Sequence, residues 1–343
     1  MTVQSSVPVA KDSGPRRQRQ PGRLRILADR VLRVRELSVL VVDIVLIVYF
    51  AIANPGFFTT SNIENIADFF SAAALIAVGE VFLLVCGELD LSAGMTFALI
   101  PVIMVTLNND GLPLWLALVI GLVAAAVIGL FNGMVTQYLK LPSFITTLGT
   151  MYLLHGIALT LAGSTPLPAP QDGIIPDFFG VWQWSELIWT VVILLIMQVV
   201  LTNTRWGTHT IASGANLIGA SEAGIKVRRI KIRAFVLTAV LSGLAGVLDG
   251  TNIAKSFDPN AGGSILTFTA LASVVIGGTA LMGGSGTVIG AALGALLLAV
   301  LQDGFNILGI SATTFVIVEG IAILIAMTLN IYFMRFRARA KVG

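Results

Sequence analysis

Glu88, Asp90 and Ser92 stand at alternate positions of the segment GELDLSAG (Gly87–Gly94), beside long apolar runs. Charged groups at membrane depth cost roughly 2.5 to 3.5 kcal/mol on insertion scales, so they tend to face a polar path or a partner. Two readings stay open for this segment: a polar transport path, or a helix cap in which Asp90 or Ser92 accepts from exposed backbone N–H groups. Further acids, Asp43, Glu80, Asp249, Asp303 and Glu319, fall inside apolar runs that carry no basic residue to neutralise them. They must be protonated, hydrated or bonded to amides and hydroxyls such as Asn132, Thr146, Thr147, Asn252 and Asn306. Such groups suit sugar hydroxyls, and equally a proton relay. Enzymatic chemistry is not indicated: His155 and His209 are isolated, Cys86 is the single cysteine, and no nucleophile, base or metal set converges. A G-x-x-x-x-G-K-[ST] phosphate loop is also missing, so no ATPase site of that kind is expected on this chain.

The elements that position these residues are apolar helices. Hydrophobic residues make up 56% of the 343 and charged ones 11%, against roughly 25% charged in soluble domains. A bilayer core of about 30 Å needs about 20 helical residues. Segments of that kind recur at 37–53, 62–84, 89–107, 113–138, 143–162, 184–202, 233–253, 265–281, 286–305 and 312–334. The expected fold is all-α, a polytopic transmembrane bundle of about ten helices. Of these, the second and third are the least regular: polar residues crowd the start of one, GELDLSAG interrupts the other, and a broken or re-entrant segment is an alternative. The domain plan is a basic tail at 1–36, a transmembrane region at 37–334 and a basic tail at 335–343.

Threading ten helices places both tails, Lys140 and the polar stretch 203–233 on one side, with only Lys255 of the 21 basic residues outside. The positive-inside rule makes that side the cytoplasm and puts both termini there. The tail at 1–36 is Pro-, Gln- and Arg-rich; its composition predicts disorder and contact with anionic lipid headgroups, and no cleavable signal is expected. The basic balance thus has a membrane explanation, and no aromatic-basic groove pattern points to nucleic acid. On the other side, 163–186 combines Pro166, Pro168, Pro170 and Pro176 with Phe178, Phe179, Trp182 and Trp184, suiting an interfacial anchor or a docking surface.

Two more segments stand out. The stretch from Asn203 to Arg233 contains GANLIGASEAGI (Gly214–Ile225), low in side-chain bulk and followed by Lys226, Arg228, Arg229, Lys231 and Arg233. It suits a contact surface for another protein, or a plain connecting loop. The second segment, VVIGGTALMGGSGTVIG (Val274–Gly290), carries a glycine turn and then Gly286, Gly290 and Gly294 every fourth residue, a pattern for close helix packing.

Together with GELDLSAG and LPSFITTLGTM (Leu141–Met151), these blocks resemble, in order and spacing, the permease subunit of ABC sugar importers of the ribose, xylose and arabinose type. The likeness spans essentially everything after residue 40. It implies an inner-membrane permease, not an enzyme, that pairs as a homodimer, docks an ATP-binding subunit and receives sugar from an extracytoplasmic sugar-binding protein. This chain would bind no cofactor; ATP and Mg would belong to the partner. The resemblance makes 203–233 a coupling loop, with Gly214, Asn216, Ala220, Glu222, Gly224 and Ile225 as the coupling set. Within it Asn216, Ala220, Gly224 and Ile225 match the family pattern by position. The chain departs from that pattern at Ile218, where an acid is common, and at Ser221, where an arginine is common. Thr267-Phe268-Thr269 likewise replaces a frequent Glu-Leu-Asp, which either alters ligand handling or is neutral.

The residues expected along the translocation path are Glu80, Glu88, Asp90, Ser92, Asn132, Thr146 and Asn306. Expected localisation is the bacterial inner membrane, multi-pass. Competing functions are a proton-coupled secondary transporter using the unpaired acids, and import of branched-chain amino acids or nucleosides by the same architecture.

Overall fold

The computed structural model describes residues 35–180, 182–252 and 254–311, and within 313–328 all but 315, 322, 323, 326 and 327. Nearly all of the two expected tails, and much of the tenth span, fall outside these residues. The apolar runs fold as α1 (Arg35–Ala53), α2 (Thr60–Val85), α3 (Ala93–Asn109), α4 (Leu114–Tyr138) and α5 (Ser143–Ala162). After a short α6 (Ile174–Phe179) come α7 (Ser185–Asn203), α8 (Arg205–Ala215), α9 (Leu217–Glu222), α10 (Val227–Asn252), α11 (Gly263–Ile276) and α12 (Val288–Ile307). Among the described residues seven helices are long and apolar enough to cross a membrane, and α3 and α11 are shorter apolar helices. The architecture is helical, as expected; the count of ten is not reached within the described residues.

Burial sorts the helices into a centre and a rim. The most apolar window of α2 is 83% buried and those of α10 and α12 are 61% buried, against 17% for α1. Lipid solvates leucine as well as a protein core does, so rim helices can keep apolar side chains outward. Tyr49, Ile52, Val127, Ile145 and Leu195 do so. The stripe on α12 is a packing device: a Cβ on Gly290 would lie 2.3 Å from the Gly277 carbonyl oxygen, and one on Gly294 would lie 2.1 Å from that of Ser273. Backbones of α11 and α12 therefore touch directly.

Differences from the hydropathy reading are local. The second span is one unbroken 26-residue helix, because its polar first turns are used: Asn62 Nδ2 donates to Asp303 Oδ2 of α12 at 2.7 Å. The third span starts at Ala93, and GELDLSAG before it is largely non-helical. Helix α10 begins at Val227, so Arg228, Arg229, Lys231 and Arg233 occupy its first turns. On the opposite end, Leu167–Pro168 pairs antiparallel with Ser256–Phe257 and ties together two connecting segments.

Candidate functional site

Helix α2 stops where Gly87 takes φ +75°. The Gly87 N–H then donates to the Leu84 carbonyl at 2.9 Å, and the Glu88 N–H to that of Leu83 at 2.9 Å, the closing pair of a Schellman turn. Residues 88–92 form neither helix nor strand, and unpaired N–H groups away from water are costly. Side chains supply the acceptors. The Leu89 N–H donates to Ser143 Oγ (3.4 Å), that of Asp90 to Glu80 Oε2 (3.4 Å), that of Leu91 to Thr147 Oγ1 (3.0 Å) and that of Ser92 to Asp90 Oδ1 (2.8 Å). One residue into α3, the Gly94 N–H donates to Thr267 Oγ1 of α11 at 2.9 Å.

The side chains of the segment are held as firmly. Asn132 of α4 donates to Ser92 Oγ at 2.9 Å and lies 3.4 Å from Asp90 Oδ2, while its own oxygen accepts from Thr150 Oγ1 at 2.7 Å. Glu80, Asp90, Ser92 and Asn132 are fully buried. Glu88 reaches the other way: its Oε1 accepts from Lys231 Nζ at 2.7 Å and from Gln137 Nε2 at 3.0 Å. Among the described residues this is the only ion pair. Asp90 therefore bonds the Ser92 N–H just before α3, in a side-chain turn, and does not cap the helix.

The structure gathers Glu80, Glu88, Asp90, Ser92 and Asn132 into one contiguous network. Thr146 borders it, with a buried hydroxyl that bonds no protein atom among the described residues, while its neighbour Thr147 makes the contact to the loop. Asn306 is elsewhere, exposed in the last turn of α12. Sequence reasoning did not foresee the roles of Ser143, Gln137, Thr150 and Lys231. The spacing of Ser143 and Thr147, one helical turn apart on α5, was the available signal.

The residues expected to form the coupling set lie next to this network. Asn216 caps α9 by accepting from the Gly219 N–H at 2.9 Å. Ala220 is buried, while Leu217, Ile218, Glu222 and Gly224 are exposed. A second Schellman turn ends α9: Gly224 has φ +81°, and the Ile225 N–H donates to the Ala220 carbonyl at 3.0 Å. Gly214 belongs to α8, where a Cβ would fall 1.7 Å from the Val85 carbonyl oxygen. That same oxygen accepts from the Gly284 N–H at 2.8 Å. The last turn of α2, the end of α8 and the 283–286 turn thus meet backbone to backbone. Beside them a recess of about 1100 Å³ is lined by Glu88, Gln137, Lys140, Ile218, Glu222 and Arg229.

Other acids find polar partners or none. Glu319 Oε1 accepts from Thr269 Oγ1 at 2.7 Å, so two of the three residues at the Glu-Leu-Asp departure have structural uses, Thr267 being the other. Asp43 and Glu186 are buried with both carboxyl oxygens unbonded to protein among the described residues.

Residues 62–327 match the family model described as branched-chain amino acid transport system, permease component. The chain belongs to this permease family. It is 33% identical over 318 residues to a xylose/arabinose import permease protein of Sulfolobus acidocaldarius, covering 91% of this chain and 89% of that one. A ribose import permease protein of Bacillus subtilis is 33% identical over 83% of this chain and 89% of its own. An autoinducer 2 import system permease protein of Salmonella typhi is 32% identical over 81% of this chain and 80% of its own. No solved structure matches. The permease is a multi-pass integral protein of the inner membrane, and the likeness to ABC sugar importer permeases read from its four blocks holds over most of the chain.

Proposed function

We propose that this permease is the membrane-spanning subunit of an ATP-driven, binding-protein-dependent importer for a monosaccharide, working by alternating access. A separate ATPase holds ATP and Mg²⁺ and docks on α9; a second copy of the permease completes the path; an extracytoplasmic binding protein delivers sugar. The basic residues flanking α9 and in the terminal tails support a cytoplasmic position for all three by the positive-inside rule. Sugar is preferred over a branched-chain amino acid because the xylose/arabinose and ribose permeases align over more than four-fifths of this chain.

The observation that carries the reading is the contact between α8 and α2 at Gly214 and Val85. An exposed surface, Leu217, Ile218 and Glu222, is joined through backbone contacts to the turn from which the GELDLSAG network starts. Force applied at α9 cannot be absorbed by flexible side chains on that route. Taking a two-state equilibrium from 1:99 to 99:1 needs about 5.5 kcal/mol, within reach of ATP-driven closure of two ATPase subunits.

The test is co-purification from the native membrane with proteins identified by mass spectrometry, comparing wild type with Ile218→Arg. Ile218 is 71% exposed, so the substitution alters the surface without disturbing the core. A protein bearing a phosphate loop is expected with wild type and not with the variant. A stable wild-type chain that brings down no such protein would favour the proton-coupled reading, which Asp43 and Glu186 would then have to support.

A further inference from the structure

The GELDLSAG backbone is held mainly by α2 and α5, and one of the side-chain contacts is an ion pair to the element that directly follows α9. Lys231 lies in the second turn of α10, which starts at Val227 two residues after Ile225. Its Nζ holds Glu88 Oε1, with both side chains little exposed, at 13% and 11%. Other polar contacts come from Glu80 of α2, Asn132 and Gln137 of α4, Ser143 and Thr147 of α5, and Thr267 of α11. Among the described residues only the Lys231 bond ties the loop to the end of α10 nearest the coupling surface. On its far side Glu88 borders the recess, where Lys140, Arg228 and Arg229 also stand. A carboxylate released by Lys231 would remain beside a recess that is lined by other cations but would have no cation bonded to it.

We propose that Lys231 and Glu88 form a latch that holds the 86–92 loop to the start of α10, and that displacement of α9 opens it by drawing Lys231 away. The proposal rests on the importer reading for its trigger, but the latch itself is a property of this chain. Lys231 and Glu88 are positioning residues: they set where the loop and the start of α3 sit. Breaking one member leaves the other as an uncompensated, mostly buried charge, whereas exchanging the two keeps the pair.

Cys86 is a reporter already in place. It is the single cysteine of the chain, 2% exposed, and sits at the head of the loop with Sγ 3.9 Å from the Thr210 carbonyl oxygen. The experiment measures the rate at which a maleimide labels Cys86 in the purified full chain, with thermal unfolding recorded in parallel. Lys231→Met and Glu88→Gln are each expected to speed labelling by about tenfold through local opening. Lys231→Arg and the exchange Glu88→Lys with Lys231→Glu should return it towards the wild-type rate. Unchanged labelling in the single variants would overturn the latch; so would an exchange variant that labels as fast as the singles. If Lys231→Met unfolds, Glu88→Gln and the exchange still decide the matter. In the complex carrying the ATP-binding partner, ATP with vanadate should change the wild-type rate severalfold and leave Lys231→Met unaffected. A silent ATP arm beside fast labelling in the single variants would remove the trigger and leave the latch standing.

Discussion

Gly214→Ala is the smallest change that strikes the link between α8 and α2. The added carbon would sit 1.7 Å from the Val85 carbonyl oxygen and 2.7 Å from the Gly284 nitrogen. Both are backbone atoms, and neither can swing aside as a side-chain tip would. Restoring an ordinary contact distance moves the helices apart by roughly 1.5 Å. The Gly284 N–H to Val85 bond is then lost, at about 0.5–1.5 kcal/mol, and forced overpacking adds about 1–3 kcal/mol. Alanine returns up to about 1 kcal/mol through helix propensity, leaving a net loss of about 2 kcal/mol. Gly149→Ala in α5 is the control: it too is helical, but a Cβ there meets nothing within 4 Å. Thermal unfolding in detergent should show Gly214→Ala several degrees below wild type and Gly149→Ala level with it or slightly above. Uptake by vesicles should fall for the first and hold for the second. Equal stability for the two would mean that the α8–α2 contact is not as tight as described, and the mechanical route would go with it.

Three further outcomes rest on single contacts. Asn132→Leu removes the donor to Ser92 and Asp90 and the acceptor of Thr150 at near-constant volume, and should cost about 2–3 kcal/mol of stability, read by chemical denaturation. Asn62→Leu strips Asp303 of its amide donor and should destabilise by about 1–3 kcal/mol, while adding Asp303→Leu should recover most of that loss, since removing both partners spares the orphan. Asn216→Ala deletes the α9 cap and should cost about 1 kcal/mol locally, seen as faster amide exchange across 217–222 and weaker retention of the ATP-binding partner.

The fold is legible in the sequence wherever one physical cause is at work. Uninterrupted apolar runs place α1, α4, α5 and α7 to within a few residues, because length and hydropathy alone decide whether a helix can span lipid. Boundaries go astray where helix and membrane part company. Hydropathy reads the edge of the hydrocarbon, so α10 looks as if it begins at Arg233, although the chain is helical from Val227. Arginine and lysine are good helix formers, and nothing requires a helix to stop at the headgroups. Asn62 reads as a weakness in the second span for the mirror-image reason: its partner, Asp303, is 241 positions away.

The network shows how far a sequence can lead before tertiary pairing takes over. Glu88, Asp90, Ser92 and Asn132 stand out as polar groups in apolar surroundings, and they do come together. That Glu88 is claimed by Lys231, 143 positions on, is not legible, because Lys231 looks like one of several solvated cations. Yet the backbone poses a question that hydropathy ignores. If GELDLSAG is neither helix nor strand at the edge of the membrane, its N–H groups need acceptors from elsewhere. Ser143 and Thr147 sit one turn apart on the face α5 turns toward the loop, and they answer Leu89 and Leu91 in the same alternation. Glu80 answers Asp90 from the opposite side. Tracing the fate of each loop N–H would have pointed to α2 and α5 as its walls and left Glu88, which must face away from them, in search of a cation. The latch is that remaining requirement, met by the first helix after the coupling surface.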